Sequence, residues 1–329
     1  MIRALSLGIF LSLSAAAPAL AEVIRIQDLN TTQIRALDRA KTIVILPGGM
    51  MEEHGPYLPA FTDGVLSERL TAEITQALAA KKPGWNVLLF PQIPFGASGY
   101  NEIGGHYVFP GTYAVRPGTL RAVFMDLATE IGEQGFRWVF VVHVHGSPLH
   151  IHALDDASDF FHDTYGGRMV NLWGLMPVLG GWGSALQDLP DGEKREEGVS
   201  LHAGMDEHSL MLHLRPELVN EAYKQAPPVT GRTMADSFKV SRAADWPGYL
   251  GSPRLASRAL GEKIWRSFAA AAIDHALKVL DGADPIQFQR YADLLDRNPL
   301  YQAWMKTAAE HEEQLDAKQR RWLAEHKRR

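Results

Sequence analysis

The chain has 329 residues, 46% of them hydrophobic and 22% charged, which excludes a disordered, fibrous or low-complexity protein because ample apolar surface offsets the entropy of ordering. Lys+Arg 33 against Asp+Glu 38 leaves a formal charge of −5, with no basic excess to neutralise a phosphate backbone, so nucleic-acid binding is disfavoured. Cysteine is absent, which excludes disulfides, thiolate metal sites and a cysteine nucleophile, and leaves any metal to His, Asp and Glu.

In chain order, residues 1–21 read as a secretory signal: Arg3, an apolar stretch over 4–17, and Ala19-Leu20-Ala21 as a cleavage site before Glu22. The stretch is shorter than the ~20 residues a membrane span needs. The expectation is a protein exported across the inner membrane, periplasmic in a Gram-negative cell, with no membrane association after signal removal. Residues 42–46 predict a buried strand, and 65–80 a helix with Val65, Leu66, Leu70, Ile74 and Leu78 at three- and four-residue spacing. Strands are predicted again at 86–90, 138–142 and 169–173, and helices at 117–133, where Pro117 suits a first turn, and at 154–162. This alternation predicts an α/β fold with a mostly parallel sheet. Sites in such sheets lie at the carboxyl ends of strands, so the loops after Leu46, Phe90, Val142 and Trp173 are expected to gather at one edge. Residues 174–200 are too long for a plain connector and predict a lid or pocket wall. Beyond Gly261 the chain turns helical, and 299–329 predicts a charged helix for packing or oligomer contact.

Ten of the 13 histidines fall between His54 and His213, in those loops and beside carboxylates. Glu52 and His54, two residues apart, share a face if strand geometry persists past Leu46. Gly55, Pro56 and Pro59 then turn the chain so that Asp63 can return to the same point. Oxygen and imidazole donors of this kind suit Zn²⁺ or Mn²⁺; the alternative is a polar loop whose acids cap the next helix. His143 and His145 alternate onto one side after an apolar strand, where burial is costly unless a metal or carboxylate receives them. Of His150 and His152, at most one is expected to line the site. Glu207 falls near a helix start, where it can ligate a metal while His202 shuttles protons; the alternative is a capped helix start with solvated histidines.

Together these residues resemble the creatininase (creatinine amidohydrolase) family of metal-dependent hydrolases. Pro47, Glu52, His54, Gly55, Pro56, Leu58, Pro59, Thr62 and Asp63 match its first block. Phe109-Pro110-Gly111-Thr112, the strand leading to His145, Glu207 with Ser209-Leu210-Met211-Leu212, and Ala256-Ser257 with Gly261 follow in the family's order, over roughly residues 28–280. The resemblance implies a three-layer α/β/α fold, here with a C-terminal helical extension, a centre of two divalent ions (Zn²⁺ and/or Mn²⁺), and a homo-oligomer, usually a hexamer. It implies that Glu52 and His145 ligate one ion, His54 the other, and Asp63 both. His202 matches the proton-shuttling histidine, Glu207 the glutamate five residues on, and Trp173 a substrate-covering tryptophan; His143 is expected beside the substrate.

Some positions depart from the pattern. Ser147 stands where creatininase has a glutamate, so the second ion needs Glu207 or His143 as a ligand. Gly146 and Gly198 replace a tyrosine and a tryptophan, and Glu207-His208-Ser209 replaces Glu-Thr-Ser. Creatinine itself is therefore not the expected substrate. The reading is an exported amidohydrolase that opens the C–N bond of a cyclic or small amide with a metal-activated water, its catalytic domain over 22–283 and its helical extension over 284–329. The alternatives are a non-catalytic metal- or ligand-binding protein on the same scaffold, or a mononuclear zinc hydrolase using Glu52, His54 and His145. No Gly-x-Ser-x-Gly elbow supports a serine triad.

Overall fold

In the computed structural model, which describes residues 22–326, five strands form one sheet; the predicted signal lies outside the described residues. They are β1 (Glu22–Arg25), β2 (Thr42–Pro47), β3 (Asn86–Leu89), β4 (Trp138–Val142) and β5 (Arg168–Asn171). Their order is β1-β3-β2-β4-β5 and every pairing is parallel. The helices in chain order are α1 (Thr31–Ala36), α2 (Thr62–Lys81), α3 (Tyr100–Ile103), α4 (Pro117–Glu133), α5 (Pro148–Tyr165) and α6 (Met176–Ser184). They continue with α7 (Asp191–Glu197), α8 (Met205–Leu214), α9 (Met234–Val240), α10 (Arg258–Leu280), α11 (Tyr291–Leu295) and α12 (Pro299–Glu325).

The uninterrupted apolar runs of the central strands are what a parallel sheet covered on both faces requires. Ile43, Ile45, Phe140 and Val142 point into one core with Leu66, Leu70 and Ile74 of α2, Leu210 of α8 and Phe268 of α10. Val44, Leu46, Val139 and Val141 point into the other, with Leu120 and Phe124 of α4 and Leu154 and Phe161 of α5. This is the predicted three-layer α/β/α arrangement. The helix leaving β2 lies on one face and the helix leaving the adjacent β4 on the other. Their paths diverge and open a crevice at the carboxyl ends of these two strands.

A third core closes over that edge. Tyr100 and Ile103 of α3, Phe238 of α9, Leu295 of α11, and Tyr301 and Trp304 of α12 are buried together. The C-terminal segment is helical as expected, and its first half is folded onto the sheet rim. Residues 174–200 contain α6 and α7, with α6 packed along α10 through Val178 and Trp182. No helix of the described residues is long and apolar enough to cross a membrane.

Candidate metal centre

The exit from β2 is shaped by two glycines. A Cβ on Gly48 would lie 1.6 Å from the His143 ring. Gly49 has φ +125°, open to glycine and strained for other residues, and a Cβ there would lie 2.5 Å from Gly64 Cα. The chain therefore presses against the start of α2 and then loops outward. When it returns, Asp63 sits in the first turn of α2, at the positive end of the helix. His145 arrives from β4, and Glu207 from the first turn of α8.

Two groups of side chains meet there and share Asp63. In one, His145 Nδ1 lies 3.0 Å from Glu52 Oε2 and 2.9 Å from Asp63 Oδ2. In the other, His54 Nε2 lies 3.4 Å from Asp63 Oδ1 and 3.8 Å from Glu207 Oε1. The donor atoms of each group lie within 4.8 Å of one another, as they also do for Glu52, His54 and His202. Both imidazoles are held from behind. His54 Nδ1 donates to the Glu52 carbonyl at 3.0 Å, and His145 Nε2 donates to the Ser98 carbonyl at 3.2 Å. With an ion bound in place of a proton, each ring would turn an unprotonated nitrogen toward the carboxylates, the arrangement that outer hydrogen bonds impose on metal-ligating histidines.

Two of these atoms, His54 Nε2 and Asp63 Oδ2, are buried without a hydrogen-bond partner. Buried polar atoms are normally satisfied, and a cation in each group would satisfy both, one beside Asp63 Oδ2 and the other beside His54 Nε2. Electrostatics points the same way. Burial opposes charge on His54 and His145, yet Asp63 and Glu207 beside the first, and Glu52 and Asp63 beside the second, hold both pKa values well above the ordinary one. Against the same burial, His145 and His54 hold the Asp63 carboxyl far below its usual range, and His54 lowers that of Glu207. The carboxylates draw protons onto the imidazoles; a divalent ion would displace those protons. The residues fit such an ion. The backbone at the site is also unusual. Among the described residues, the non-glycine positions with φ near the left-handed region are Ser98 (φ 64°) and Ala203 (φ 47°). The first supplies the carbonyl that holds His145, and the second the N–H that donates to Glu207.

His202 stands next to the pair. Its Nε2 is 2.7 Å from the Glu53 carbonyl and 3.1 Å from Glu53 Oε1, and its Nδ1 is 3.8 Å from Glu52 Oε1. Its ring stacks on Tyr100 with centroids 5.3 Å apart. Burial works against a charge on His202, but Glu52 and Glu53 outweigh it and push its pKa up to about 9. Strand alternation gives no reason to select Glu53, since it should face away from Glu52 and His54. The backbone leaves strand geometry after Pro47, and the adjacent acidic pair Glu52-Glu53 is the signal that was available.

The other expected residues divide. Trp173 lies on the wall of the cavity above the centre, edge-on to Trp182 and Phe268. Glu207, and not His143, is the third member of the His54 group. His143 does not reach the cavity, and its expected contact with substrate is corrected. It lies behind Gly48, where its Nδ1 accepts the Gly49 N–H at 3.3 Å and its ring meets Phe124 edge-on. Burial, with His145 nearby, lowers its pKa to about 3, so it is a neutral packing residue. Neither His150 nor His152 lines the cavity: the first accepts the Ala97 N–H, and the second pairs with Asp296 at the surface. Ser147 is on the cavity wall, its hydroxyl buried without a partner. The cavity measures about 410 Å³, has Glu52, Asp63, His145 and Glu207 among its lining, and has no Lys or Arg from among the described residues.

A family model described as creatininase, creatinine amidohydrolase, matches residues 27–276. A mycofactocin precursor peptide peptidase of Mycolicibacterium smegmatis is 27% identical over 251 residues, covering 75% of this chain and 89% of that protein. A creatinine amidohydrolase of Pseudomonas putida is 27% identical over 234 residues, covering 68% and 84%. A solved structure described as "Creatininase Mn" superposes with a TM-score of 0.57 at 22% identity, covering 78% of this chain and 98% of that one. A second, of creatinine amidohydrolase (creatininase), gives 0.56 at 22% identity over 79% and 99%. These superpositions establish a shared fold.

Proposed function

The chain belongs to the creatininase family of metal-dependent amidohydrolases, and on that premise we propose that Glu52, Asp63 and His145 hold one divalent ion and His54, Asp63 and Glu207 a second, for hydrolysis of a small or cyclic amide. The observation that carries this reading is Asp63, whose two oxygens each face a different buried imidazole. Zn²⁺ and Mn²⁺ suit the donor set, and solved creatininases are described with manganese and as a Zn-Zn type. Bound divalent ions lower the pKa of water toward neutrality and polarise a carbonyl oxygen.

The rest is done by the chain's own groups. Glu53 and its carbonyl accept the Nε2 proton of His202, which fixes the tautomer and leaves Nδ1 on the cavity side. With a pKa of about 9 that nitrogen carries a proton at neutral pH, delivers it to the leaving nitrogen of the amide and regains one from the attacking water. Trp173, Tyr100 and their neighbours exclude bulk water. The relatives' names span a creatinine amidohydrolase and a peptide peptidase, and the substrate is read as a cyclic amide, an N-formyl amide or a short peptide-like amide. With Ser147, Gly146 and Gly198 at the departing positions, creatinine is not the assigned substrate. Residues 1–21 support export to the periplasm, and the family supports a homo-oligomer.

Asp63→Asn tests the central claim. The wild-type protein is expected to carry two metal equivalents by plasma emission and the variant at most one, with amide turnover reduced ~10³-fold or more if activation of the water is lost. Two equivalents retained in the variant would overturn the shared carboxylate. One equivalent of zinc in the wild type would favour the mononuclear hydrolase, and none the non-catalytic scaffold.

A further inference from the structure

The matched family region ends at residue 276, yet two residues well beyond it, Tyr291 and Tyr301, line the same cavity as Glu52 and Glu207. We infer that the C-terminal segment supplies a fixed specificity wall for this site, through which Tyr291 and Tyr301 select an uncharged substrate bearing an aromatic or bulky apolar group. The inference rests on the hydrolytic reading for where the scissile bond lies, but not for what the wall binds.

The wall is anchored on both sides. The Tyr291 N–H donates to the Gly174 carbonyl at 2.8 Å, and the Met176 N–H to the Gln289 carbonyl at 2.9 Å, tying the segment to the chain that follows β5. Between those bonds, Arg290 grips Asp159 of α5 with both guanidinium nitrogens, at 2.7 and 2.6 Å. The Tyr301 ring stands edge-on to Phe238 with centroids 5.3 Å apart, and Trp304, one turn further along α12, is buried in the same core. These five attachments make this a standing wall and not a flap.

The chemistry of the cavity defines what it admits. Trp173, Trp182 and Met176 line it together with the two tyrosines, so the space above the carboxylates is bounded largely by apolar and aromatic surface. A distal carboxylate on the substrate would be buried with no Lys or Arg among the lining residues to receive it. A distal cation would find Asp206 already engaged: its oxygens accept the Trp182 indole N–H at 2.9 Å, the Ser200 hydroxyl at 3.1 Å and the Glu207 N–H at 2.9 Å. An uncharged group remains.

The test is equilibrium binding to the metal-loaded protein, read by calorimetry, with phenylacetamide and its para-carboxy and para-aminomethyl derivatives as probes. Phenylacetamide is expected to bind at least ~10-fold more tightly than either charged derivative, the cost of a buried unpaired charge. Tyr291→Leu and Tyr301→Leu are each expected to weaken phenylacetamide about 5-fold by removing an aromatic contact, while Tyr301→Phe stays within about 2-fold. Asp159→Asn, outside the cavity, is expected to weaken binding in the same direction by loosening the anchor, and carries the test if the leucine variants do not fold. Equal binding of the charged derivatives, or unchanged affinity in the folded variants, would overturn the wall. The predicted binding pattern with no amide turned over would support the wall and count against the hydrolytic reading.

Discussion

Asp63 and Glu53 show how differently two neighbouring carboxylates are used. Asp63, at the start of a helix, faces two imidazoles at once; Glu53 faces neither and instead takes the Nε2 proton of His202. Glu53→Gln keeps the size of the side chain and removes its charge. Turnover is expected to fall about 10- to 100-fold, the usual cost of losing an outer-shell partner, with metal content unchanged by emission analysis. A variant with full kcat would remove Glu53 from the reaction. Glu52, His54 and His145 were legible in the sequence because each follows a strongly apolar strand, where a buried ionisable group needs a reason, and Asp63 because Gly55, Pro56 and Pro59 turn the chain back toward them. Glu53 was not, because the two-residue alternation that selects Glu52 and His54 lapses once the chain leaves the sheet. His143 was misassigned for the opposite reason. It alternates with His145 as expected, but the space cleared by Gly48 receives its ring away from the cavity.

The strands read from sequence are those that are mostly buried. β2, β3, β4 and β5 carry apolar runs covered on both faces, whereas β1 is a largely exposed edge strand of four residues, paired only with β3, and has no comparable signature. Helices α6 and α7 lie in a glycine-rich and then charged stretch whose composition hides their periodicity. The junction of α5 with β5 carries a testable electrostatic feature. Asp155 accepts the Asn171 side-chain N–H at 3.1 Å, and burial raises its carboxyl pKa from 3.8 to about 6, against the pull of Arg290 and Asn171. A folded pKa above the unfolded one means that the stability it contributes is fully present below about pH 4 and lost as pH rises through 6. Asp155→Asn removes this dependence while keeping an acceptor for Asn171. Relative to wild type, the variant is expected to gain on the order of 2–3 kcal/mol more at pH 7 than at pH 4, from urea-unfolding midpoints. A difference independent of pH would contradict the assignment.

On the scale of the whole molecule, the chain wraps its own sheet rim. Two cores flank the sheet and a third, built from α3, α9, α11 and α12, caps the end where the site lies. The layered fold was legible from strand–helix alternation. The cap was not, because a charged helix with widely spaced Leu300, Trp304, Leu315 and Trp322 announces an apolar stripe without saying which surface it covers. Its near half covers the cavity rim and its far half leaves Trp322 and Leu323 exposed. Stability of the whole should depend on the ions assigned to the centre. Exhaustive chelation at neutral pH is expected to lower the melting temperature by ~5 °C, since a ligand at 100 times its dissociation constant contributes about 2.7 kcal/mol to the folded state. An unchanged melting temperature after verified metal loss would separate the centre from folding.

The meeting of positions 52–63, 145 and 207 has one more consequence. A chain without cysteine has no covalent staple, and these three stretches belong to different strand and helix connections, held together only by non-covalent contacts. Two ions sharing Asp63, one reaching position 145 and the other position 207, would act as a cross-link that can be put in and taken out, closing loops of roughly eighty and sixty residues at a single knot, with an entropic effect that grows with loop length as for any closure. Loading would then double as the final locking step of assembly.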